Sequence, residues 1–223
     1  MCRCAFYAAR PTELMTKMMQ DIGFVLLAGG QSRRMGGGDK NQLELGGKTI
    51  MQHVLDRVER AGAPTVINAN GDPRRYASYN LPITADVIDG YLGPLAGILT
   101  GLEWLTSHHP HCVHMVSLAT DAPFLPADIA YRLYQRVSPD TPIVQAQSNG
   151  RRHPVFAIWP VTLAADLRRA IFEEGVRKID HYTERYSCDF VSFSGTPDPF
   201  LNLNRPKDFI EAKCWLEQLS EQN

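Results

Sequence analysis

The sequence predicts a single α/β domain with a doubly wound, mostly parallel sheet, extended at its C-terminal end by a hairpin and further helices. Through the first 140 residues, short apolar runs alternate with segments whose apolar residues recur every three or four positions, which is typical of parallel strands joined by crossover helices. After residue 141 this alternation ends, and Asn149-Gly150 separates two apolar runs, which predicts a hairpin. The chain of 223 residues is long enough for one full hydrophobic core.

The elements of the first half follow from these patterns and from their end signals. Thr49 and Gln52 form a predicted capping box at the start of a helix that Gly62 ends, and Pro94 suits the first position of another helix. The predicted order is a strand at 22–27, a small turn or hairpin at 43–48, a helix at 49–62, a strand at 65–70, a short helix at 72–78, a strand at 81–86, a helix from 94, a strand at 111–118 and a helix at 126–137.

The second half continues with the hairpin and three helices. The predicted order is strands at 143–147 and 153–159, helices at 162–173 and 176–186, a strand at 188–193, an extended stretch at 200–206 and a helix to 219. Residues 1–20 show little periodicity, and we expect a disordered extension there. The domain then spans 21–223, with a nucleotide-binding half at 21–138 and a second-substrate half at 139–223.

Composition and charge exclude several classes of protein. The formal net charge is −1 and the pI about 6.6, so nucleic acid is not an expected partner. No apolar run is long enough to cross a membrane. Five cysteines with wide spacing predict reduced thiols and a cytoplasmic location, and Cys2-x-Cys4 has no second close pair that would complete a metal site.

A glycine-rich basic loop follows the first strand. Residues 29–40 contain five glycines together with Arg33, Arg34 and Lys40, and the backbone N–H groups of such a loop can surround an anion. The loop lacks the Gly-Lys-Ser/Thr of a Walker A motif, and its adjacent Gly29 and Gly30 do not form the dinucleotide fingerprint. It therefore predicts a phosphate site of another kind, in which Arg34 and Lys40 neutralise triphosphate charge. The alternative, a solvated surface loop, is disfavoured because ordering so many glycines without a ligand is costly.

Polar residues lie at the ends of four predicted strands. Ligands of open parallel sheets bind beyond the carboxyl ends of the strands. We therefore expect four segments to meet at one edge of the sheet, at Gly29, Asn68, Asp86 and Asp121. The Asp121 carboxylate, which directly follows an apolar strand, is the predicted Mg²⁺ ligand, because Mg²⁺ takes one or two carboxylates together with phosphate oxygens and water. Taken singly, Asn68 and Asp86 also fit ordinary turn residues, and Asp121 fits a helix cap.

The segment from Leu27 to Lys40 reads Leu-Ala-Gly-Gly-x-Ser-x-Arg-Met-Gly-x-x-Asp-Lys and resembles the motif of nucleotidyltransferases that activate small phosphorylated metabolites, most closely the molybdenum cofactor guanylyltransferases. The resemblance extends from about 22 to 213 and includes Gly93-Pro94-Leu95-Ala96-Gly97 and Thr120-Asp121-Ala-Pro-Phe. It implies a Rossmann-like nucleotidyltransferase fold. It also implies transfer of GMP from GTP to the phosphate of molybdenum-bearing molybdopterin, with release of pyrophosphate.

The resemblance assigns roles to individual residues. Catalytic roles fall to Lys40, Arg34 and Asp121, with Mg²⁺ on Asp121. Contacts with GTP fall to Leu27, Ala28, Gly29, Gly30, Lys40, Asn68, Asp86 and Asp121. His153 before Pro154, and the pair Asn202 and Asn204, resemble elements near the second substrate; a hairpin histidine and a turn before a helix are the competing interpretations.

Partners and alternatives follow from the same resemblance. It implies transient contacts with molybdenum insertion proteins and apo-molybdoenzymes, and a monomer or weak oligomer. The alternatives are a cytidylyltransferase of the same cofactor, a sugar-phosphate nucleotidyltransferase, and a non-catalytic nucleotide sensor or cofactor carrier. Ser32, the histidines and the aspartates form no nucleophile–base pattern by spacing, so hydrolase chemistry is not expected.

Overall fold

The computed structural model describes residues 20–29, 40–58, 62–88 and 93–221. The strands are β1 (Ile22–Leu27), β2 (Glu44–Leu45), β3 (Lys48–Thr49), β4 (Thr65–Asn68), β5 (Ile83–Thr84), β6 (His114–Ala119), β7 (Ile143–Ser148), β8 (Arg151–Pro160) and β9 (Cys188–Phe193). The α-helices are α1 (Ile50–Val58), α2 (Pro94–His108), α3 (Ile129–Tyr134), α4 (Ala164–Phe172), α5 (Ile179–Thr183) and α6 (Pro206–Glu221). Short 3-10 helices cover Lys40–Gln42, Pro73–Tyr79 and Val161–Leu163.

A seven-stranded sheet has the order β5-β4-β1-β6-β8-β7-β9. The pairs among β5, β4, β1 and β6 are parallel, β8 is antiparallel to both β6 and β7, and β7 is parallel to β9. The predicted doubly wound, mostly parallel sheet is confirmed. The predicted hairpin is also confirmed, with Asn149 at φ 49° and Gly150 at φ 74° in its turn.

The hairpin belongs to the main sheet, and this determines where its turn lies. Because β8 is antiparallel to β6 and to β7, the strands β6 and β7 run in the same direction. The carboxyl ends of β7 and β9 therefore lie at the same edge of the sheet as those of β1, β4 and β6. We call this edge the carboxyl edge; Gly29, Asn68, Thr120 and Ser148 lie on it.

Apolar side chains fill both faces of the sheet. Phe24 and Leu26 of β1 pack on one face in a cluster with α1 and α3, whereas Val25 packs on the other face in a cluster with α2, α4 and α5. This alternation is the period of two that a strand imposes on its side chains. Buried Trp159 of β8 donates its indole N–H to Ser117 Oγ of β6 at 2.9 Å, so the middle of the sheet has a satisfied polar contact.

Several elements are shorter than the sequence patterns predicted. The third predicted strand, 81–86, is reduced to the two residues of β5, and the helix predicted at 126–137 is reduced to α3. The segment predicted as a helix at 72–78 is a 3-10 helix, capped by the Asp72 carboxylate, which accepts the Arg74 backbone N–H at 3.0 Å. Pro82 directly precedes β5 and has no backbone N–H to donate, which limits the strand at its start.

The helix after the β2–β3 hairpin is capped as predicted at its start. Thr49 Oγ1 accepts the backbone N–H of Gln52 at 3.0 Å, but the Gln52 side-chain amide donates to Asp56 Oδ1 at 3.0 Å instead of returning to Thr49. Residues 59–61, before the predicted cap Gly62, lie outside the described residues, and Gly62 itself has φ 62°. Except for Gln20, the extension predicted at 1–20 also lies outside them.

Candidate active site

Residues from four strand ends meet at the carboxyl edge. Gly29 follows β1, Asn68 ends β4, Asp86 lies two residues after β5, and Asp121 lies two residues after β6. Since β5, β4, β1 and β6 are consecutive and parallel, these positions are neighbours along one edge. Predicted residues Gly30, Arg34 and the nearby Arg33 lie outside the described residues; Lys40 begins the 3-10 helix Lys40–Gln42, and its side chain is outside the description.

Two asparagine amides hold the Asp86 carboxylate. Asn68 Nδ2 donates to Asp86 Oδ1 at 2.9 Å, and Asn70 Nδ2 donates to Asp86 Oδ2 at 2.7 Å. Asn70 Oδ1 accepts the Asp86 backbone N–H at 2.9 Å, so Asn70 binds Asp86 through both amide atoms. Asn68 is buried, with 3% exposure, while Asp86 is half-buried. We call Asn68, Asn70 and Asp86 the amide–carboxylate cluster.

The carboxylate fixes the orientation of the Asn68 amide. A carboxylate only accepts hydrogen bonds, so the Asn68 nitrogen faces Asp86, and its Oδ1 atom faces the opposite way. That oxygen lies close to Gly97 of α2, where an added Cβ atom would be 2.4 Å from it and 2.6 Å from Leu27 Cδ2. Gly97 is therefore required for close approach of α2 to this edge. The cluster consequently offers further ligands acceptor oxygens, on Asn68 and Asp86.

A second group of hydrogen bonds fixes the end of β1. Asn41 Nδ2 donates to Thr120 Oγ1 at 3.0 Å and to the Tyr76 hydroxyl at 3.4 Å. The Thr120 hydroxyl donates to the Leu27 carbonyl at 3.2 Å, and the Tyr76 hydroxyl donates to the Ala28 carbonyl at 3.4 Å. The Ala28 N–H donates to the Asn68 carbonyl at 2.9 Å. The strand end that precedes the glycine-rich loop is thus held from two sides.

Asp121 is joined to the C-terminal segment by a backbone contact. The Leu203 N–H donates to the Asp121 carbonyl at 3.1 Å, and Leu203 itself is buried. Its neighbours Asn202 and Asn204 are exposed. The structure therefore brings the predicted late asparagines next to the predicted metal ligand, although about 80 residues of chain separate them in the sequence.

Beside the turn of the β7–β8 hairpin, a serine and a histidine of the hairpin contact an aspartate that follows β9. Ser148 Oγ lies 2.7 Å from His153 Nε2 and 2.9 Å from each carboxylate oxygen of Asp198. Asn149 Nδ2 and the Phe200 N–H also donate to Asp198, at 2.8 Å and 2.9 Å. Burial by itself would raise the pKa of the Asp198 carboxyl, but these hydrogen bonds together lower that pKa below its ordinary value.

This hairpin cluster, Ser148, His153 and Asp198, is not a nucleophilic triad. Asp198 only accepts, so the Ser148 hydroxyl proton points to it and His153 Nε2–H donates to Ser148. The serine is therefore the middle member and is buried, with 2% exposure. Burial lowers the pKa of His153, partly offset by Asp198, and its ring packs on Phe200 at 4.7 Å. The cluster fastens the segment before Asn202 to the hairpin.

The donor set suits a cation that binds mainly through substrate. Among the described residues no group of three or more His, Cys, Asp and Glu side chains could hold a metal ion. One carboxylate oxygen of Asp121, Oδ1, is buried at the carboxyl edge. Mg²⁺ characteristically takes one or two carboxylates and completes its shell with phosphates and water, so a single Asp121 fits it.

Among the described residues, no helix combines the length and the apolarity that a membrane crossing needs.

Asn41, Tyr76 and Asn70 were missed by the sequence analysis as functional candidates. The Asn-Ala-Asn pattern at 68–70 was a usable signal, because alternate residues of a strand end point to the same side. Nothing local identified Asn41 or Tyr76, since their hydrogen-bond partners are 79 and 48 residues away in the sequence.

Comparisons with known proteins agree with this geometry. The model of the MobA-like NTP transferase domain matches residues 24–186. A molybdenum cofactor guanylyltransferase from Rhodopseudomonas palustris is 46% identical over 191 residues, covering 85% of this chain and 91% of that protein. One from Mesorhizobium japonicum is 43% identical over 209 residues, covering 91% of this chain and 100% of that protein.

The fold has a close structural counterpart. The crystal structure of molybdopterin-guanine dinucleotide biosynthesis protein A from Archaeoglobus fulgidus superposes with a TM-score of 0.70 and covers 88% of this chain and 99% of its own. Its sequence identity is 23%, so this likeness concerns the fold.

Proposed function

Because this chain belongs to the family of MobA-like NTP transferase domains, we propose that it transfers GMP from GTP to the terminal phosphate of molybdenum-bearing molybdopterin, releasing pyrophosphate. The observation that carries the proposal is the carboxyl edge, where the amide–carboxylate cluster and Asp121 flank the start of the glycine-rich loop. Such an edge can bind a base, a triphosphate and a metal side by side.

The amide–carboxylate cluster supports recognition of guanine. The Watson–Crick edge of guanine presents two adjacent donors, N1–H and the N2 amino group. Asn68 Oδ1 and Asp86 offer acceptors, because the Asn68 amide nitrogen is already bound to Asp86. Asp86 can equally accept a ribose hydroxyl. Cytosine presents one donor beside acceptors and would leave part of this surface unpaired, which is costly.

The triphosphate would lie along the glycine-rich loop. Lys40 and Arg34 would neutralise its charge, and backbone N–H groups of residues 29–40 would surround the phosphates. Asp121 would hold Mg²⁺, which supplies electrostatic stabilisation of the charge that develops on pyrophosphate. The hydrogen bonds that Thr120 and Tyr76 donate to the Leu27 and Ala28 carbonyls would hold the first residues of the loop in place while negative charge develops on the pyrophosphate.

The reaction needs no general base from the protein. An oxygen of the substrate phosphate forms a bond to the α-phosphorus of GTP, while the bond from that phosphorus to the bridging oxygen breaks. The electron pair leaves with pyrophosphate. Since the attacking phosphate is already anionic, the protein's tasks are alignment of the two substrates and neutralisation of charge.

The molybdopterin substrate would bind at the C-terminal side of the same edge. His153, Asn202 and Asn204 are the proposed contacts, because the hairpin cluster and the Leu203–Asp121 contact hold this segment beside Asp121, the proposed metal ligand. We propose that residues 21–138 bind the nucleotide and residues 139–223 bind the second substrate, on one shared sheet.

The free cysteines Cys112, Cys188 and Cys214 fit a location in the reducing cytoplasm. Through transient contacts, molybdenum insertion proteins would deliver the substrate and apo-molybdoenzymes would accept the product.

The test is an NTP panel with the purified protein. GTP, CTP, ATP and UTP are each assayed for binding by calorimetry and for pyrophosphate release with molybdenum-bearing molybdopterin, with and without Mg²⁺. We expect release with GTP and Mg²⁺. Tighter binding and faster release with CTP would establish the cytidylyl alternative, and binding without release by any nucleotide would establish a sensor or carrier.

A further inference from the structure

Asn41 connects the two residues that the proposed chemistry requires at the phosphates. It directly follows Lys40 in the 3-10 helix Lys40–Gln42, and its amide donates to Thr120, which directly precedes Asp121. The Nδ2–Oγ1 distance is 3.0 Å, and both side chains are buried, with 5% and 3% exposure. One hydrogen bond therefore joins the backbone neighbours of Lys40 and Asp121 across 79 residues of sequence.

The same amide controls two hydroxyl groups. Asn41 Nδ2 supplies a donor to Thr120 and to Tyr76, so each hydroxyl directs its own proton to a carbonyl, of Leu27 or of Ala28. These two carbonyls belong to the last residues before the glycine-rich loop. The hydrogen bonds of Asn41, Thr120 and Tyr76 thus fix the two ends of the glycine-rich loop relative to each other and to the end of β6, which precedes Asp121.

Stability alone does not account for this asparagine. Its Oδ1 atom is buried and accepts no hydrogen bond within the described ranges of the chain. Burying an unsatisfied acceptor costs free energy that an apolar side chain would avoid. The described ranges hold a second such amide, Gln145, so this cost alone indicates no role. Asn41 differs from Gln145 because it lies between a predicted phosphate ligand and a predicted metal ligand, and this position points to a role in the reaction.

We propose that Asn41 is a positioning residue, which sets the distance and orientation of Lys40 relative to Asp121 around the departing pyrophosphate. This inference rests on the proposed function and adds to it a residue that touches neither substrate. Asn41 binds Tyr76, which packs on the sheet face of α1 and α3, whereas Asn68 lies against Gly97 of α2 on the other face. Among the described residues, Asn41 shares no hydrogen bond with Asn68, Asn70 or Asp86. Its loss should therefore affect turnover and triphosphate affinity and leave recognition of the nucleoside unchanged.

The experiment is a double-mutant cycle of Asn41→Ala and Thr120→Val on the full-length protein. For each variant we would measure kcat and KM for GTP in pyrophosphate release, the binding of GTP and of guanosine by calorimetry, and the melting temperature. We expect each single variant to lower kcat by about tenfold to a hundredfold, because small misplacements of charged groups cost that much. The double variant should be no slower than the slower single variant, because both changes break the same contact.

Two controls separate positioning from general damage. Gln145→Ala removes another buried amide, one whose nitrogen has no partner in the described part of the chain, but from the middle of β7. Thr106→Val removes a hydroxyl that binds the Leu102 carbonyl within α2. Both controls should keep the wild-type kcat.

The outcomes distinguish the inference from the function on which it rests. If wild-type protein releases no pyrophosphate from GTP, the proposed function is wrong. If wild-type protein is active and Asn41→Ala keeps kcat within about twofold, or if the two changes act additively, Asn41 is not a positioning residue. Weakened guanosine binding, or a kcat loss that disappears at lower temperature together with a lowered melting temperature, would likewise overturn the proposal.

Discussion

The two polar clusters of the carboxyl edge differ in the chemistry that holds their carboxylates. Asp86 lies between two amides, from Asn68 and Asn70, which cannot change their charge. Asp198 lies beside a hydroxyl, an exposed amide and, through Ser148, a histidine. The first arrangement presents a permanent pattern of acceptors, as recognition of one base requires. The second includes an ionisable ring and therefore responds to pH.

The difference also concerns how each cluster is built. Both asparagines of the amide–carboxylate cluster come from one strand end, whereas the hairpin cluster joins β7, β8 and a segment 50 residues further along the chain. The first cluster needs one parallel pairing, β4 with β5, to bring Asp86 to the two asparagines, whereas the second needs two strands and a distant segment to meet. Variants in the two clusters should accordingly affect the binding of different substrates.

Asp121→Ala should have the largest effect. Removal of the proposed metal carboxylate should lower pyrophosphate release by about a hundredfold to a thousandfold, because electrostatic stabilisation of the leaving group is lost. Circular dichroism should remain that of the wild type, because a half-buried residue at a strand end contributes little to the core. Asp128→Ala, an exposed aspartate before α3, serves as control. Full activity of folded Asp121→Ala would locate the metal elsewhere, and loss of the dichroism signal would favour a capping role.

Lys40→Ala should weaken GTP binding by about tenfold or more, because charged hydrogen bonds contribute about 1.5–3 kcal/mol. Asn204→Ala should leave GTP binding nearly unchanged and weaken binding of molybdopterin instead. Calorimetry with each ligand and each variant measures both effects. Equal loss of GTP affinity in the two variants would place Asn204 among the residues around the nucleotide or the metal. The hydrogen bond between Leu203 and Asp121 already brings this segment close to them.

Asn70→Ala and Asn149→Ala form a matched pair, since each removes an amide that donates to a carboxylate, at 2.7 Å and 2.8 Å. Asn70→Ala should weaken GTP binding by about fivefold to tenfold, because it also leaves the Asp86 N–H without its acceptor. It should reduce the preference for GTP over ITP, which lacks the N2 amino group. Asn149→Ala should have a smaller effect, confined to molybdopterin, because Asp198 keeps Ser148 and the Phe200 N–H. Reversed ligand effects would contradict the division of the edge.

The smallest expected effect is on the pH dependence of stability. Burial lowers the pKa of His153 below its ordinary 6.5, although Asp198 raises it and Arg151 lowers it further. The unfolded chain therefore binds a proton before the folded chain does, so the contribution of His153 is present above pH 6.5 and decreases as the pH falls through the lowered pKa. The lowered pKa of Asp198 has the same sign and acts below 3.8.

His153→Gln is the variant that isolates this contribution. Its stability in urea should decrease less than that of the wild type between pH 7 and about pH 5, because one titrating group is removed. Comparison with the wild type is needed because burial also lowers the pKa of His109 and His114, which remain in both proteins. Identical slopes for the two proteins would show that His153 does not titrate differently in the folded state.

The sequence predicted the sheet well because strand and helix periodicities are local properties. The strand at 22–27, the strand at 188–193 and the Asn149-Gly150 hairpin occur as predicted. The placement of Gly29, Asn68, Asp86 and Asp121 on one edge also followed from the sequence, because the carboxyl ends of parallel strands lie at the same edge of a sheet. Element ends were less accurate, as β5 and α3 show, since single turns depend on tertiary packing.

By itself, the sequence determined the fold class, the glycine-rich basic loop and the set of strand-end polar residues, because each depends on residues that are neighbours in the chain. Only the tertiary structure decided which way the Asn68 amide points, that Asn41 binds Thr120, and that Ser148 stands between His153 and Asp198. Hydrogen bonds need their partners within about 3.5 Å and in the correct direction. Across 79 or 50 residues of chain, only the strand order and register of the folded sheet can bring such partners together.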